Sequence, residues 1–206
     1  MGRRLIPELL KRKHVVRALA RAGSEGKLPP GCELVSGNVL EAGSFADRIQ
    51  PADTFVHLVG VSHPSPAKAE QFRKIDYVSA REAFAAAKAS GINHFVYVSV
   101  AHPARTMKTY AGVRMECEEL LRQTGMNATI LQPWYVLGPG HRWPLLVKPV
   151  YWLLERFPST RESAQRLGLI SLREMINALV WSIENPTAKE RIIDVPGMRQ
   201  LPVVIS

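Results

Sequence analysis

The feature that most constrains this chain is a regular alternation of short apolar runs with helical stretches from residue 3 to residue 132. Residues 54–61 (TFVHLVGV) and 94–100 (HFVYVSV) are mostly apolar, as expected of strands covered on both faces. Residues 14–20 (HVVRALA), 33–36 and 128–131 supply further short strands. Helices are predicted over 3–12, where Leu5, Ile6, Leu9 and Leu10 recur at helical spacing, over 67–90 before Gly91, and over 109–124 before Gly125. Ser44 is expected to cap a short helix around 45–49. Strand, helix, strand in this rhythm is the pattern of a parallel sheet built from βαβ units.

The rest of the chain reads differently. A Pro/Gly-rich loop over 133–144 leads to an apolar helix within 143–157 and a strand at 167–170. Ser171 and Glu174 then form a capping box for a helix to residue 184, and 192–195 is a last strand. The expected division is therefore a sheet domain over 1–132 and a small, dependent lobe over 133–206 on the substrate side.

Composition narrows the function classes. The 206 residues are 46% hydrophobic and 22% charged, ordinary for a globular protein, but the net charge is +9. Much of it sits in Arg3, Arg4, Lys11, Arg12, Lys13, Arg17 and Arg21. This suits a phosphorylated ligand, an anionic surface or nucleic acid, or it is simply a solvated basic face. No aromatic RNA-binding motif or zinc-finger spacing accompanies it, which argues against nucleic acid. Cys32 and Cys117 match no metal or redox spacing, so a reduced, cytoplasmic setting is expected. The six histidines form no HExxH or HxH group, and Ser99 lacks a GxSxG elbow, so neither a metal site nor a hydrolase is indicated. No run of eighteen apolar residues is present to span a membrane.

The stretches MGRRLIPELLKRKHVVRALAR, GNVLEAGSF, FVHLVG, GINHFVYVSV, YAGVRMECEELLRQTGMNATILQPWYVLGPG and the terminal DVPG, in this order, resemble the atypical and extended short-chain dehydrogenase/reductase superfamily, in its NmrA-like and epimerase/dehydratase-like region. The resemblance covers essentially the whole chain. It implies a Rossmann-like, doubly wound α/β fold that binds a nicotinamide dinucleotide. In that family a strand and a TGxxGxxG loop precede the first helix. Gly2 matches the third glycine, while the strand and the other glycines have no counterpart, so a late start or a truncated gene is expected rather than a functional headless fold.

The resemblance also assigns roles. Arg21, with Arg17 earlier in the strand, stands where an acid would select NAD, so NADP is preferred over NAD, unless these arginines are plain surface basicity. Asn38 and Val39 fall beside the adenine, although Asn38 serves equally as a turn former. Val59 and Gly60 close a strand at its carboxyl end, and Gly60 either admits the cofactor or merely ends the strand. Pro133 would line the nicotinamide pocket, with Trp134 and Tyr135 on the substrate side. Tyr110 and Arg114, four apart on a helix, match the family's YxxxK with arginine for lysine. Such a tyrosine needs a nearby cation to work near neutral pH. Ser99 falls in the family's serine region, yet its gap to Tyr110 is shorter than in the classical enzymes, and a packed aromatic explains Tyr110 as well.

Two functions follow. One is an oxidoreductase or epimerase-like enzyme transferring hydride to or from a small carbonyl or hydroxyl substrate. The other is a non-catalytic NAD(P)H-binding redox sensor or a respiratory or quinone-linked assembly subunit, with the apolar segment around Leu145, Tyr151, Trp152 and Leu154 resting on a membrane, a quinone or a partner.

Overall fold

The computed structural model describes residues 1–102, 107–138 and 168–205. The apolar helix expected within 143–157 and the turn beyond Gly138 lie outside them. Eight strands are present among the described residues: β1 (Arg17–Ala20), β2 (Glu33–Ser36), β3 (Thr54–His57), β4 (His94–Val98), β5 (Asn127–Gln132), β6 (Tyr135–Leu137), β7 (Leu169–Ser171) and β8 (Glu190–Asp194). Every pairing is parallel. The strands form a β1–β2 pair, a four-stranded sheet in the order β3–β4–β5–β8, and a β6–β7 pair. β1 and β3 thus belong to separate hydrogen-bonded sheets, and each has only one strand partner among the described residues.

Two helical layers cover the sheet. On one face lie α1 (Gly2–Lys11), α5 (Leu172–Glu184) and α6 (Val195–Gln200). Leu5 and Leu9 of α1 and Met175, Ile176 and Leu179 of α5 pack there against Val96, Val98 and Leu131. On the other face, α3 (Val78–Ala89) and α4 (Lys108–Thr124) bury Ala83, Phe84, Cys117 and Leu121 against Phe95, Tyr97 and Ile130. β4 is buried at all five positions, which accounts for its unbroken apolar sequence.

Local chemistry sets the boundaries. After α1, Lys13 adopts φ 65° and the His14 amide bonds Leu9 O, a tight reversal that aims the chain into β1. Gly125, at φ 72°, ends α4 in the same left-handed way. Ser171 and Glu174 exchange both capping-box bonds at the start of α5.

Four details differ from the sequence pattern. The helix expected over 67–90 is interrupted by a π-helical segment at Phe72–Tyr77 after the short α2 (Ala69–Gln71). The region after Ser44 holds 3₁₀ turns rather than a capped α-helix, and the Ser44 hydroxyl bonds Asn38 O and Glu41 O. Residues 135–137, read as loop, form β6. The last strand, read as part of the small dependent lobe over 133–206, pairs with β5 and so extends the main sheet. Pairing information of this kind is long-range and has no signature in a five-residue window.

Candidate functional site

In a parallel sheet all carboxyl ends open on one edge, and ligands bind there. Here that edge gathers Gly60 and Val61 after β3, Ser99 and His102 after β4, and Pro133 after β5. The Ser99 amide bonds Leu131 O, and the Ala101 amide bonds Pro133 O. These bonds stitch the turns beyond β4 and β5 together.

Tyr110 lies in the first turn of α4 with its ring centroid 4.9 Å from that of Phe72. The Arg114 guanidinium, one turn on, sits 5.4 Å from the Tyr110 ring centroid and 5.8 Å from that of Tyr97. Arg114 donates to Asp76 Oδ1 (2.6 Å), to Val98 O (2.9 Å) and to the Tyr97 hydroxyl (3.2 Å). Asp76 is supplied by the π-helical segment, is fully buried, and accepts the Val61 amide at 2.9 Å through its second oxygen. Gly60 is held against this pair: a Cβ there would fall on Arg114 Nη2, well inside van der Waals contact. One ion pair therefore fastens the loop after β3 to the helix carrying Tyr110.

The electrostatics follow from burial. Burial raises the Tyr110 pKa above the ordinary phenol value, and the opposing charge of Arg114 does not cancel it. Burial likewise raises Asp76, against the pull of Arg114 and the Val61 amide. Tyr110 is accordingly a protonated hydroxyl at neutral pH, suited to donating a hydrogen bond.

Ser99 points elsewhere. Its hydroxyl donates to Glu118 Oε1 at 2.5 Å, and Glu118 is buried in α4. Glu118 also receives Gln132 Nε2 at 3.0 and 3.1 Å and lies 3.2 Å from His102 Nε2. Composition and spacing gave little hint of Asp76, Glu118 or Gln132. The usable signal was a pair of acids interrupting the apolar faces of helices.

The remaining residues spread along the same edge. Gly2 opens α1, whose first turn has no side-chain cap and no acid. The helix start is thus an uncompensated positive end that suits an anion. A Cβ on Gly2 would meet only Leu58, at an ordinary 3.9 Å. Arg17 is occupied by Glu33 (2.8 Å) and by Gln50 O. Arg21 is exposed and makes no side-chain bond among the described residues. Asn38 spends its amide on its own turn, accepting from the Leu40 amide and donating to Glu41. Val39 and Val59 are half-buried, and Pro133 is buried. Among the described residues no group of acids, histidines and cysteines is placed to hold a metal, and no helix is long and apolar enough to cross a membrane.

Known proteins share this fold. A family model described as NAD(P)H-binding matches residues 1–142. A curated relative, the ceramide reductase of Caulobacter vibrioides, is 25% identical over 140 residues, covering 62% of this chain and 44% of that protein. The chain thus spans less than half the length of that relative. Among solved structures, the Bordetella bronchiseptica enzyme WbmH in complex with NAD+ matches with a TM-score of 0.66 at 16% identity, over 92% of this chain and 70% of the other. A short-chain dehydrogenase/reductase superfamily protein from Agrobacterium tumefaciens with bound NAD matches at 0.66 and 17%, over 94% and 74%. The UDP-N-acetylglucosamine 4-epimerase from Bacillus cereus matches at 0.65 and 12%, over 92% and 73%. These likenesses establish a Rossmann-like α/β fold.

Proposed function

From a chain that belongs to the NAD(P)H-binding family, we propose an NADP(H)-dependent oxidoreductase of the short-chain dehydrogenase/reductase type acting on a small carbonyl or hydroxyl substrate. The observation that carries this reading is the Val61–Asp76–Arg114 linkage beside Gly60, which locks the Tyr110 helix to the strand end where a dinucleotide would lie. The donors present suit such a ligand. The uncapped start of α1 faces no acid in its own turn, and Arg21 offers a free guanidinium fork for a ribose phosphate. When bound, the nicotinamide would supply or accept hydride. Tyr110 would hydrogen-bond the substrate oxygen, Arg114 would hold Tyr110 in place, and Pro133 would wall the nicotinamide end. The similarity to a ceramide reductase favours the reductive direction and puts a ceramide-type substrate in the assay panel.

A second reading has its own support. Arg114 is neutralised by a buried aspartate, so it does less to acidify Tyr110 than a free cation would. That arrangement favours a non-catalytic NAD(P)H sensor or assembly subunit.

Thermal shift and nucleotide fluorescence with NADPH and NADH test the binding claim. Millimolar NADPH should raise the melting temperature, and Arg21→Glu should cut the NADPH-over-NADH preference about tenfold. No response to either nucleotide defeats both readings. Tyr110→Phe separates them: an enzyme loses turnover while still binding, whereas a sensor has no turnover to lose.

A further inference from the structure

The side of α4 that carries Tyr110 and Arg114 continues one turn further to Glu118, at the i, i+4, i+8 spacing that stacks side chains along one helix face. Arg114 and Glu118 each fasten two strand ends to this helix. Arg114 donates to Val98 O at the end of β4 and, through Asp76, holds the Val61 amide beyond β3. Glu118, 1% exposed, takes the ends of β4 and β5. It accepts the Ser99 hydroxyl at 2.5 Å and Nε2 of Gln132, the last residue of β5, at 3.0 and 3.1 Å. Ser99 and Gln132 are themselves buried.

The residue after Gln132 is Pro133, which has no N–H to add to the ladder. Its carbonyl accepts the Ala101 amide at 3.0 Å, and the Ser99 amide bonds Leu131 O at 2.8 Å. The bond from Gln132 to Glu118 therefore adds a side-chain anchor where the backbone loses a donor. A serine hydroxyl has one proton, and that of Ser99 is directed at Glu118, so it is committed to the clasp and not to a substrate oxygen.

We propose that Glu118 is a positioning residue for the nicotinamide end of the cleft. By gripping Ser99 and Gln132 it sets the Pro133 turn against the same helix that carries Tyr110, so the wall and the hydroxyl keep one spacing. It touches no ligand and acts through Gln132. The assignment rests on the nucleotide-binding reading above, in which Pro133 walls the nicotinamide.

The test compares two ligands on the full chain: NADPH, and 2′-phospho-ADP-ribose, which lacks the nicotinamide. Gln132→Glu sets two carboxyl groups against each other and breaks the clasp. Adding Glu118→Gln restores one amide and one carboxyl group in exchanged places. The single variant should raise the Kd for NADPH about tenfold and that for 2′-phospho-ADP-ribose by less than about twofold, and the exchanged pair should return both toward wild type. Gln132→Met, which deletes the donors without adding charge, repeats the comparison where the charged variant unfolds below the assay temperature. Equal losses for the two ligands indicate general damage to the fold and overturn the assignment. So does unchanged NADPH binding in the single variant, or an exchanged pair that restores nothing. A wild-type chain that binds neither ligand removes the nucleotide-binding reading, and this assignment with it.

Discussion

At the residue scale the Asp76–Arg114 pair decides most. Both groups are buried, and their attraction offsets a desolvation cost that neither could bear alone. Removing only the carboxylate leaves an uncompensated buried cation beside two tyrosines. Asp76→Ala should therefore lower stability by about 3–5 kcal/mol in urea unfolding, and adding Arg114→Met should restore most of it. A double variant as unstable as the single one would show that the stranded charge is not the cause of the loss. The tyrosine–arginine spacing was plain in the sequence because helical neighbours at i and i+4 are fixed by geometry. What the guanidinium contacts was not, since Asp76 lies 38 residues away and meets it only because the π-helical segment packs against α4.

Elements show the same division. The capping box at Ser171 was legible because all its bonds lie within four residues, and it is present as read. Ser171→Ala should cost about 1 kcal/mol in unfolding free energy and leave nucleotide binding unchanged. The π-helical segment was not legible. Its sequence, FRKIDY, has no feature that excludes an ordinary α-turn. Its wider turn presents Asp76 inward, which agrees with the tendency of such segments to occur at functional sites.

For the whole molecule, acid stability should be governed by buried histidines. His57 is 1% exposed, stacked near Phe95 and tilted against Tyr97, and among the described residues neither ring nitrogen has a hydrogen-bond partner. Burial, aided by the Arg114 charge, lowers its pKa to about 3, and burial lowers that of His94 to about 4. Between these values and the ordinary 6.5 the unfolded chain binds more protons, so stability falls as pH drops through this window. At pH 5, His57 alone should cost about 2 kcal/mol relative to pH 8. His57→Phe should remove that share of the pH dependence, measured as the change in urea midpoint between the two pH values. An unaltered slope would show that His57 does not titrate on unfolding.

The sequence by itself determined the alternation of strands and helices, the parallel sense of the sheet and the apolar face of the first helix, because periodicity and capping act over a few residues. Only the tertiary structure decided that β8 closes the main sheet, that Ser99 turns to Glu118, and that Arg114 is held by Asp76. Those outcomes depend on which distant polar groups share a dry interior, where each must find a partner whatever its distance along the chain.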